Sequence, residues 1–232
     1  MLAIIVTPTY NEKENIKKLI PKIFSQKVEG VKFKVLVIDD NSPDGTAKEA
    51  KKFKGVQVIS RPAKLGLGSA YVTGFGEAIK QGADVIFSMD ADLSHNFDYA
   101  KDFIQKIKEG NDVVIGSRYI KGGGTNWPTS RKIISGGANT LARTILGVPA
   151  KDLTSGYRCY KASILKKALK NEFISTSYSF LEEMIYYCYK EGAKIDEVPI
   201  YFKDRTSGQS KLRKIEIAKF PFTLLRLRFY KY

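Results

Sequence analysis

The chain alternates short apolar runs with stretches in which apolar residues recur every three or four positions. Leu2 to Val6 reads as a strand, and beyond the polar loop Thr7-Pro8-Thr9-Tyr10-Asn11-Glu12 the residues Ile16, Leu19, Ile20, Ile23 and Phe24 fall at helical spacing. Lys34 to Ile38 predicts a second strand, ending in Asp39-Asp40-Asn41-Ser42, with Ser42 as N-cap and Pro43 at the first helical position. Val56 to Ile59 gives a third strand, Gly66-Leu67-Gly68 opens a helix to about Lys80, and Val85 to Leu93 reads as a buried strand. Phe97 to Lys108 follows as helix and Asp112 to Ile115 as strand. The second half is less regular: a helical stretch reaches about Leu146, Ser179 to Lys190 reads as helix, and Lys194 to Phe202 as a last strand. Strand and helix repeated at this spacing predict an α/β fold, a mostly parallel sheet with helices on both faces.

Ligands of such sheets bind beyond the carboxyl ends of the strands. Tyr10, Asp40 and Asp92 all lie just past strand ends or close a run, so one crevice can collect them. In an extended segment residues two apart share a face, which predicts that Asp90 and Asp92 converge. Convergent carboxylates suit a hard divalent ion, which completes its shell with water and a substrate's phosphate oxygens. For Asp39 and Asp40 two readings stand: a solvated strand end, or one carboxylate accepting hydrogen bonds from a nucleobase edge. Gly66-Leu67-Gly68 is not a dinucleotide fingerprint, because Tyr71 stands where the third glycine belongs and the first strand is elsewhere. Of Glu182 and Glu183, adjacent on a helix, one occupies a given face and the other can point inward. The polar loop 203–211 carries Arg205 and Lys211, which either close over phosphates or form an exposed basic loop.

Charge sharpens this picture. Lys and Arg number 39 against 24 acids, and the net +15 predicts attraction to phosphate-bearing partners without naming them. No zinc knuckle, basic region or aromatic RNA-binding signature is present, so nucleic acid is not an expected partner. A chain with 43% hydrophobic residues suffices for a substantial core, and it reads as one catalytic domain, residues 1–212, followed by a tail at 213–232. Residues 211–232 hold seven basic residues and one acid among Phe220, Phe222, Leu224, Leu225, Leu227, Phe229 and Tyr230. That mixture predicts a membrane-surface element or a segment docked on the core. The Leu2 to Val6 run is too short for a signal peptide and no stretch has 18 consecutive apolar residues. Cys159 and Cys188 show neither disulfide nor metal spacing, which points to a reducing compartment.

Several stretches together resemble the inverting nucleotide-sugar glycosyltransferases of family 2. They are Pro8-Thr9-Tyr10-Asn11-Glu12, Asp39-Asp40-Asn41-Ser42-Pro43-Asp44-Gly45-Thr46, Met89-Asp90-Ala91-Asp92-Leu93-Ser94-His95 and Gly116-Ser117-Arg118-Tyr119. Asn126-Trp127-Pro128 with Arg131, Thr154-Ser155-Gly156, and Asp204-Arg205 with Gly208 and Ser210-Lys211 join them, and of these the Trp-Pro segment and the Asp-Arg to Ser-Lys loop are similar to the subgroup of dolichol-phosphate mannose synthases. The resemblance implies a Rossmann-like GT-A fold and a donor bound as its nucleoside diphosphate at Pro8, Tyr10, Glu12, Ile38, Asp40 and Ala91. Asp40 would meet the base, and Asp90 and Asp92 would hold Mg²⁺ or Mn²⁺ with the diphosphate, Asp92 being also catalytic. Arg118 and Arg131 would face the acceptor phosphate or the leaving diphosphate, and Arg205 and Lys211 would close over the donor. Glu183 falls near the acidic helix position that processive relatives use as a base. Ser94 stands where the subgroup usually has glutamine. The implied reaction moves mannose from GDP-mannose to a polyprenyl (dolichyl) phosphate with inversion, with UDP-glucose or another nucleotide sugar as the alternative donor. A sugar-phosphate nucleotidyltransferase would need a glycine-rich loop after the first strand, which this chain lacks. The implied location is cytoplasmic, peripheral on the cytoplasmic face of a membrane, reached through the tail or through a separate membrane protein.

Overall fold

The computed structural model describes residues 1–175, 179–204 and 214–229, with the backbone alone for 214–218. Its first half is built from β1 (Leu2–Thr9), α1 (Lys13–Ser25), β2 (Lys32–Asp39), α2 (Thr46–Ala50), β3 (Val56–Ser60), α3 (Leu67–Lys80), β4 (Val85–Ser88) and α4 (Ala100–Lys108). The second half adds β5 (Val113–Ser117), β6 (Gly124–Thr125), α5 (Thr129–Leu146), β7 (Arg158–Lys161), α6 (Ala162–Ala168), α7 (Phe180–Lys190), β8 (Ile195–Pro199), β9 (Tyr201–Phe202) and α8 (Lys214–Phe229).

Seven strands form one sheet in the order β3-β2-β1-β4-β7-β5-β8, and β6 pairs with β9 separately. The pairs β1–β2, β2–β3, β1–β4 and β5–β8 are parallel, while β7 runs antiparallel to both β4 and β5. Alternation along the strands decides which helices cover which face. Ile4, Val6, Leu36, Ile38 and Ile86 pack with residues of α3 and α5 to α8, whereas Ala3, Ile5, Val35, Val37 and Phe87 pack with α1, α2 and α4. Gly74 lets α3 lie close on the sheet, since a Cβ there would stand 2.3 Å from Val6 Cγ1. The expectation of a mostly parallel sheet with helices on both faces is met.

Three local expectations are corrected. The run from Val85 leaves the sheet after Ser88, so Asp90 and Asp92 lie in a turn and the two-residue alternation of a strand does not orient them. Ser42-Pro43 does not start a helix: the Ser42 N–H and hydroxyl both donate to Asp39, and α2 starts after Gly45, whose φ is 83°. There the Asp44 carboxylate accepts from the Thr46 N–H at 2.9 Å and its hydroxyl at 2.6 Å. The stretch from Lys194 to Phe202 is two strands in two sheets, joined at Ile200, whose N–H donates to Ser117 O at 3.0 Å and whose carbonyl accepts the Gly124 N–H at 3.0 Å.

Candidate active site

Chain order reverses at β1, with β2 on one side and β4 on the other, which opens a crevice at their carboxyl ends. The loops there are stitched together by side chains. Asn11 N–H donates to Ser42 Oγ at 3.0 Å, and Glu12 N–H to Thr46 Oγ1 at 2.9 Å. Asn11 and Asn41 turn the chain at φ of 59° and 57°, conformations asparagine tolerates better than most residues. Pro8 and Ile38 lie side by side in the parallel register of β1 and β2, and Tyr10 and Asp40 follow one residue past those strands.

The two readings of Asp39 and Asp40 separate. Asp39 is buried and accepts Thr9 Oγ1 at 2.9 Å, Ser42 N–H at 2.9 Å and Ser42 Oγ at 2.6 Å, so it holds the loops. Asp40 instead meets Arg61, whose Nε donates to Oδ1 at 2.5 Å and whose Nη2 contacts the same oxygen. Lys64 sits over the Tyr10 ring, 4.7 Å from its centroid.

Past β4 the chain turns through Leu93 at φ 64°, an uncommon conformation for leucine. Asp90 is the more open of the pair, its side chain 42% exposed, and Tyr71 Oη lies 3.4 Å from its Oδ1. Asp92 is mostly buried and accepts the Ser94 N–H at 3.0 Å, and Ala91 is buried between them. His95 approaches Asp90 Oδ2 at 4.0 Å and packs on Tyr157 and Phe202. Burial pushes His95 down to about 4, outweighing the nearby Asp92 charge, so at neutral pH this contact is not an ion pair. The Ser94 hydroxyl is buried and makes no hydrogen bond among the described residues. Two carboxylates and an unspent hydroxyl form an all-oxygen donor set, which fits Mg²⁺ or Mn²⁺. Among the described residues no group of three or more His, Cys, Asp or Glu is placed to hold a metal, so such an ion would keep positions for phosphate oxygens and water.

A cationic cluster occupies the end of β5. Arg118 Nε and Nη2 donate to Asp152 at 2.7 and 2.6 Å, and Nη2 also donates to Thr154 Oγ1 at 2.7 Å. Burial alone would lower the Arg118 guanidinium, but the Asp152 charge and hydrogen bonding leave it raised above its ordinary value. The guanidinium carbons of Arg118 and Arg131 stand 4.9 and 4.1 Å from the centroid of one ring, that of Trp127. Arg131 is the accessible member, its side chain 43% exposed, and Nη1 donates to Asp204 at 2.7 Å. The loop before β7 connects the two halves of the site: Ser88 Oγ donates to Gly156 O at 2.8 Å, and Gly156 lies beside Asp90.

Both acidic residues of α7 are buried. Glu183 accepts the N–H groups of Ile174 at 2.8 Å and Ser175 at 2.9 Å, with Tyr187 Oη at 3.2 Å, so its carboxylate braces the segment before α7. Burial raises its affinity for a proton against those bonds. Glu182 is pushed up to about 7 by burial, against the pull of Arg158 and Arg118. Arg158 is fully buried and donates to the carbonyls of Ser155, Leu181 and Leu153 at 2.8, 2.5 and 2.5 Å. Arg205 and Lys211 lie outside the described residues.

The crevice thus gathers Pro8, Tyr10, Glu12, Ile38 and Asp40 at one end, Asp90 to Asp92 past β4, and Arg118 with Arg131 at the end of β5. Arg61, Asp152 and Arg158 were missed as partners in this network, although Asp152 and Arg158 flank the Thr154-Ser155-Gly156 stretch. In sequence Arg61 is a lone charge after an apolar run, while Asp152 and Arg158 stand in an irregular stretch without an apolar pattern, and such charges read as solvated.

Comparison with known proteins gives this arrangement relatives. The profile of glycosyl transferase family 2 matches residues 4–169. A polyprenol monophosphomannose synthase of Mycolicibacterium smegmatis is 36% identical over 225 residues, covering 94% of this chain and 84% of that protein. An undecaprenyl-phosphate mannosyltransferase of Micrococcus luteus is 38% identical over 217 residues, covering 91% of this chain and 88% of that protein. Among solved structures, glucosyl-3-phosphoglycerate synthase from Mycobacterium tuberculosis in complex with Mn²⁺, UDP-glucose and phosphoglyceric acid superposes with a TM-score of 0.71 at 17% identity, covering 98% of this chain and 79% of that one.

Proposed function

The chain belongs to glycosyl transferase family 2, and from that premise we propose that it transfers mannose from GDP-mannose to a polyprenyl phosphate with inversion, using Mg²⁺ or Mn²⁺. It is a glycosyltransferase with a Rossmann-like fold of the GT-A type. The observation that carries the proposal is that Asp40 and Asp90 to Asp92 follow the carboxyl ends of β2 and β4 on either side of β1, while Arg118, past β5 of the same sheet, shares the Trp127 ring with Arg131. The first set suits a nucleoside diphosphate and its metal, and the second suits a second phosphate. Both relatives named above act on polyprenyl-type phosphates by their names, and they cover nearly the whole chain.

The acceptor phosphate is already anionic near neutral pH, so its oxygen can attack the anomeric carbon without a strong base. As that bond forms, the bond to the diphosphate oxygen breaks and the electron pair leaves with the diphosphate. In-line attack inverts the anomeric carbon, giving a β-linked product from an α-linked donor. Asp90 and Asp92 would hold the divalent ion, which when bound would supply charge stabilisation to the leaving diphosphate. Arg131, half-exposed at the rim, meets the acceptor phosphate, and Arg118 behind the same indole adds positive field from a desolvated position. Asp152 sets the orientation of Arg118, and Glu183 keeps the segment before α7 in place without taking a proton. Arg205 and Lys211 close over the donor in this proposal.

A long lipid acceptor requires the crevice to reach a bilayer, and among the described residues no helix is long and apolar enough to cross one. α8 packs along α5 through buried Leu224 and Leu227, so the tail both docks on the domain and shows an outer face. α8 exposes Phe222 and Phe229, each at 74%, and α5, against which it packs, exposes Ile133 and Ile134 at 69% and 61%. Lys132, Lys219, Arg226 and Arg228 accompany them in the same helices. Apolar groups flanked by cations suit an anionic membrane surface, which we take as the face's occupant. The test is a donor panel with one polyprenyl phosphate, following lipid-linked sugar by mass with Mg²⁺, Mn²⁺ or chelator. Mannosyl lipid from GDP-mannose is the expected product, and a product from UDP-glucose alone would overturn the donor assignment.

A further inference from the structure

Arg61, one residue past β3, ties three segments of the crevice together. It is 7% exposed. Its backbone N–H donates to Asp39 O at 2.8 Å, Nη1 to Ser69 Oγ at 2.6 Å in the first turn of α3, and Nη2 to Gly66 O at 3.0 Å. Asn41 Nδ2 donates to Pro62 O at 3.2 Å, so the loop from 62 to 66 is held from both sides. The contact with Asp40 is end-on: Nε and Nη2 fall on Oδ1, rather than one nitrogen on each oxygen. A fork-to-fork pair would engage both carboxylate oxygens. Here Oδ2 is left out of the pair.

A carboxylate fixed through one oxygen presents the other as an oriented acceptor, and an ionised carboxylate can only accept. We propose that Arg61 is the positioning residue of base recognition: by pinning Oδ1 it holds the Asp40 carboxylate aligned, so that Oδ2 accepts the ring N–H of the donor's nucleobase. The inference rests on the nucleotide-sugar reading above and names the residue that enforces its selectivity. Guanine offers N1–H and uracil N3–H on the recognition edge. Adenine and cytosine present a ring-nitrogen lone pair at those positions, which would face a buried negative oxygen with no proton between them. Sites built on such a hydrogen bond reject partners that cannot make it far better than sites built on shape. Without Arg61 the carboxylate would gain rotational freedom, and Oδ2 would no longer be held in one direction toward the base edge.

The test measures binding of GDP, UDP, ADP, CDP and inorganic diphosphate in Mn²⁺ by calorimetry, for the wild-type protein, Arg61→Gln, Arg61→Lys and Asp40→Asn. The wild type should bind GDP or UDP about tenfold or more tighter than ADP and CDP. In Arg61→Gln that ratio should collapse toward one, while the Kd for inorganic diphosphate, which has no base, stays within about twofold. Arg61→Lys keeps a charge beside Asp40 but cannot span Ser69 and Gly66 as well, so discrimination should fall several-fold in a protein that circular dichroism shows to be folded. That variant keeps the inference testable if Arg61→Gln does not fold. A wild-type protein that binds none of the four nucleotides more tightly than diphosphate overturns the donor reading and this inference with it. One that discriminates, with folded Arg61 variants discriminating equally well, overturns the inference alone.

Discussion

Arg118 and Asp152 form a bidentate pair at 2.7 and 2.6 Å, and the Arg118 backbone N–H donates to the same carboxylate at 2.9 Å. Asp152 is fully buried, so this pair is removed from water and its two halves depend on each other. Replacing one member strands a buried charge, whereas replacing both with apolar groups need not. Asp152→Ala should therefore lower unfolding free energy by about 3–5 kcal/mol. Arg118→Met combined with Asp152→Leu should recover part of that loss while remaining poorly active, the remainder being the Arg118 backbone N–H left without its acceptor. Urea unfolding of the three proteins provides the check; a single-variant loss below about 1 kcal/mol would place the pair among weak surface bridges.

The Asp92 carboxylate accepts the Ser94 N–H at 3.0 Å. Asn keeps that shape and an accepting oxygen but loses the charge. Asp92→Asn should lower turnover by about a hundredfold or more with little change in melting temperature, because it acts on the developing diphosphate charge. Wild-type activity should likewise disappear in excess chelator and return with Mn²⁺. Full activity in chelator would rule out the metal.

How far the sequence exposed these features depended on whether a signal was periodic or merely local. The first strands and helices carry apolar patterns long enough to read, and so the crevice beside β1 was legible from Tyr10, Asp40 and Asp92. β7 was not: four residues led by a buried arginine carry no strand pattern, and their antiparallel place between β4 and β5 depends on partners far along the chain. Asp90 and Asp92 were found for a reason that does not hold, since β4 stops at Ser88 and a turn, not strand alternation, presents them. The roles of Asp39 and Asp40 could not be divided in sequence because they differ only in which neighbours reach them: Thr9 and Ser42 for one, Arg61 for the other.

Glu182 gives the protein a pH-dependent stability whose sign is fixed by its burial. Its carboxyl is pushed up to about 7, against the ordinary glutamate value of 4.5, so between these values the folded chain binds a proton that the unfolded chain has released. Stability from this group is complete below about 4.5 and declines as pH rises through about 7. Glu182→Gln, which cannot ionise, should match wild type near pH 5 and exceed it at pH 8 by an amount on the order of 1–3 kcal/mol. Melting curves of both proteins across that range test it. Equal melting temperatures at pH 8 would mean that Arg158 and Arg118 keep the carboxylate ionised in the fold.

The membrane proposal calls for a test other than removing the tail. Leu224 and Leu227 of α8 are buried against the domain, so truncation would uncover core surface and confuse anchoring with folding. Phe222 and Phe229 stand 74% exposed on the same helix and have little packing to lose. Phe222→Ser with Phe229→Ser should leave the melting temperature nearly unchanged. If the rings enter a bilayer surface, each is worth up to roughly 1.5–3 kcal/mol there, so partial burial of the two predicts liposome binding weakened by about tenfold or more. Basic residues beside them add roughly 1 kcal/mol each at an anionic surface, an interaction that salt screens, so raising ionic strength should weaken the wild type further. Activity on a long polyprenyl phosphate in vesicles should fall with binding, while activity on a short, water-soluble acceptor stays near wild type. Retention of full liposome binding by the double variant at matched ionic strength would remove α8 as the anchoring face. Loss of activity on both acceptors alike would instead tie these residues to the crevice.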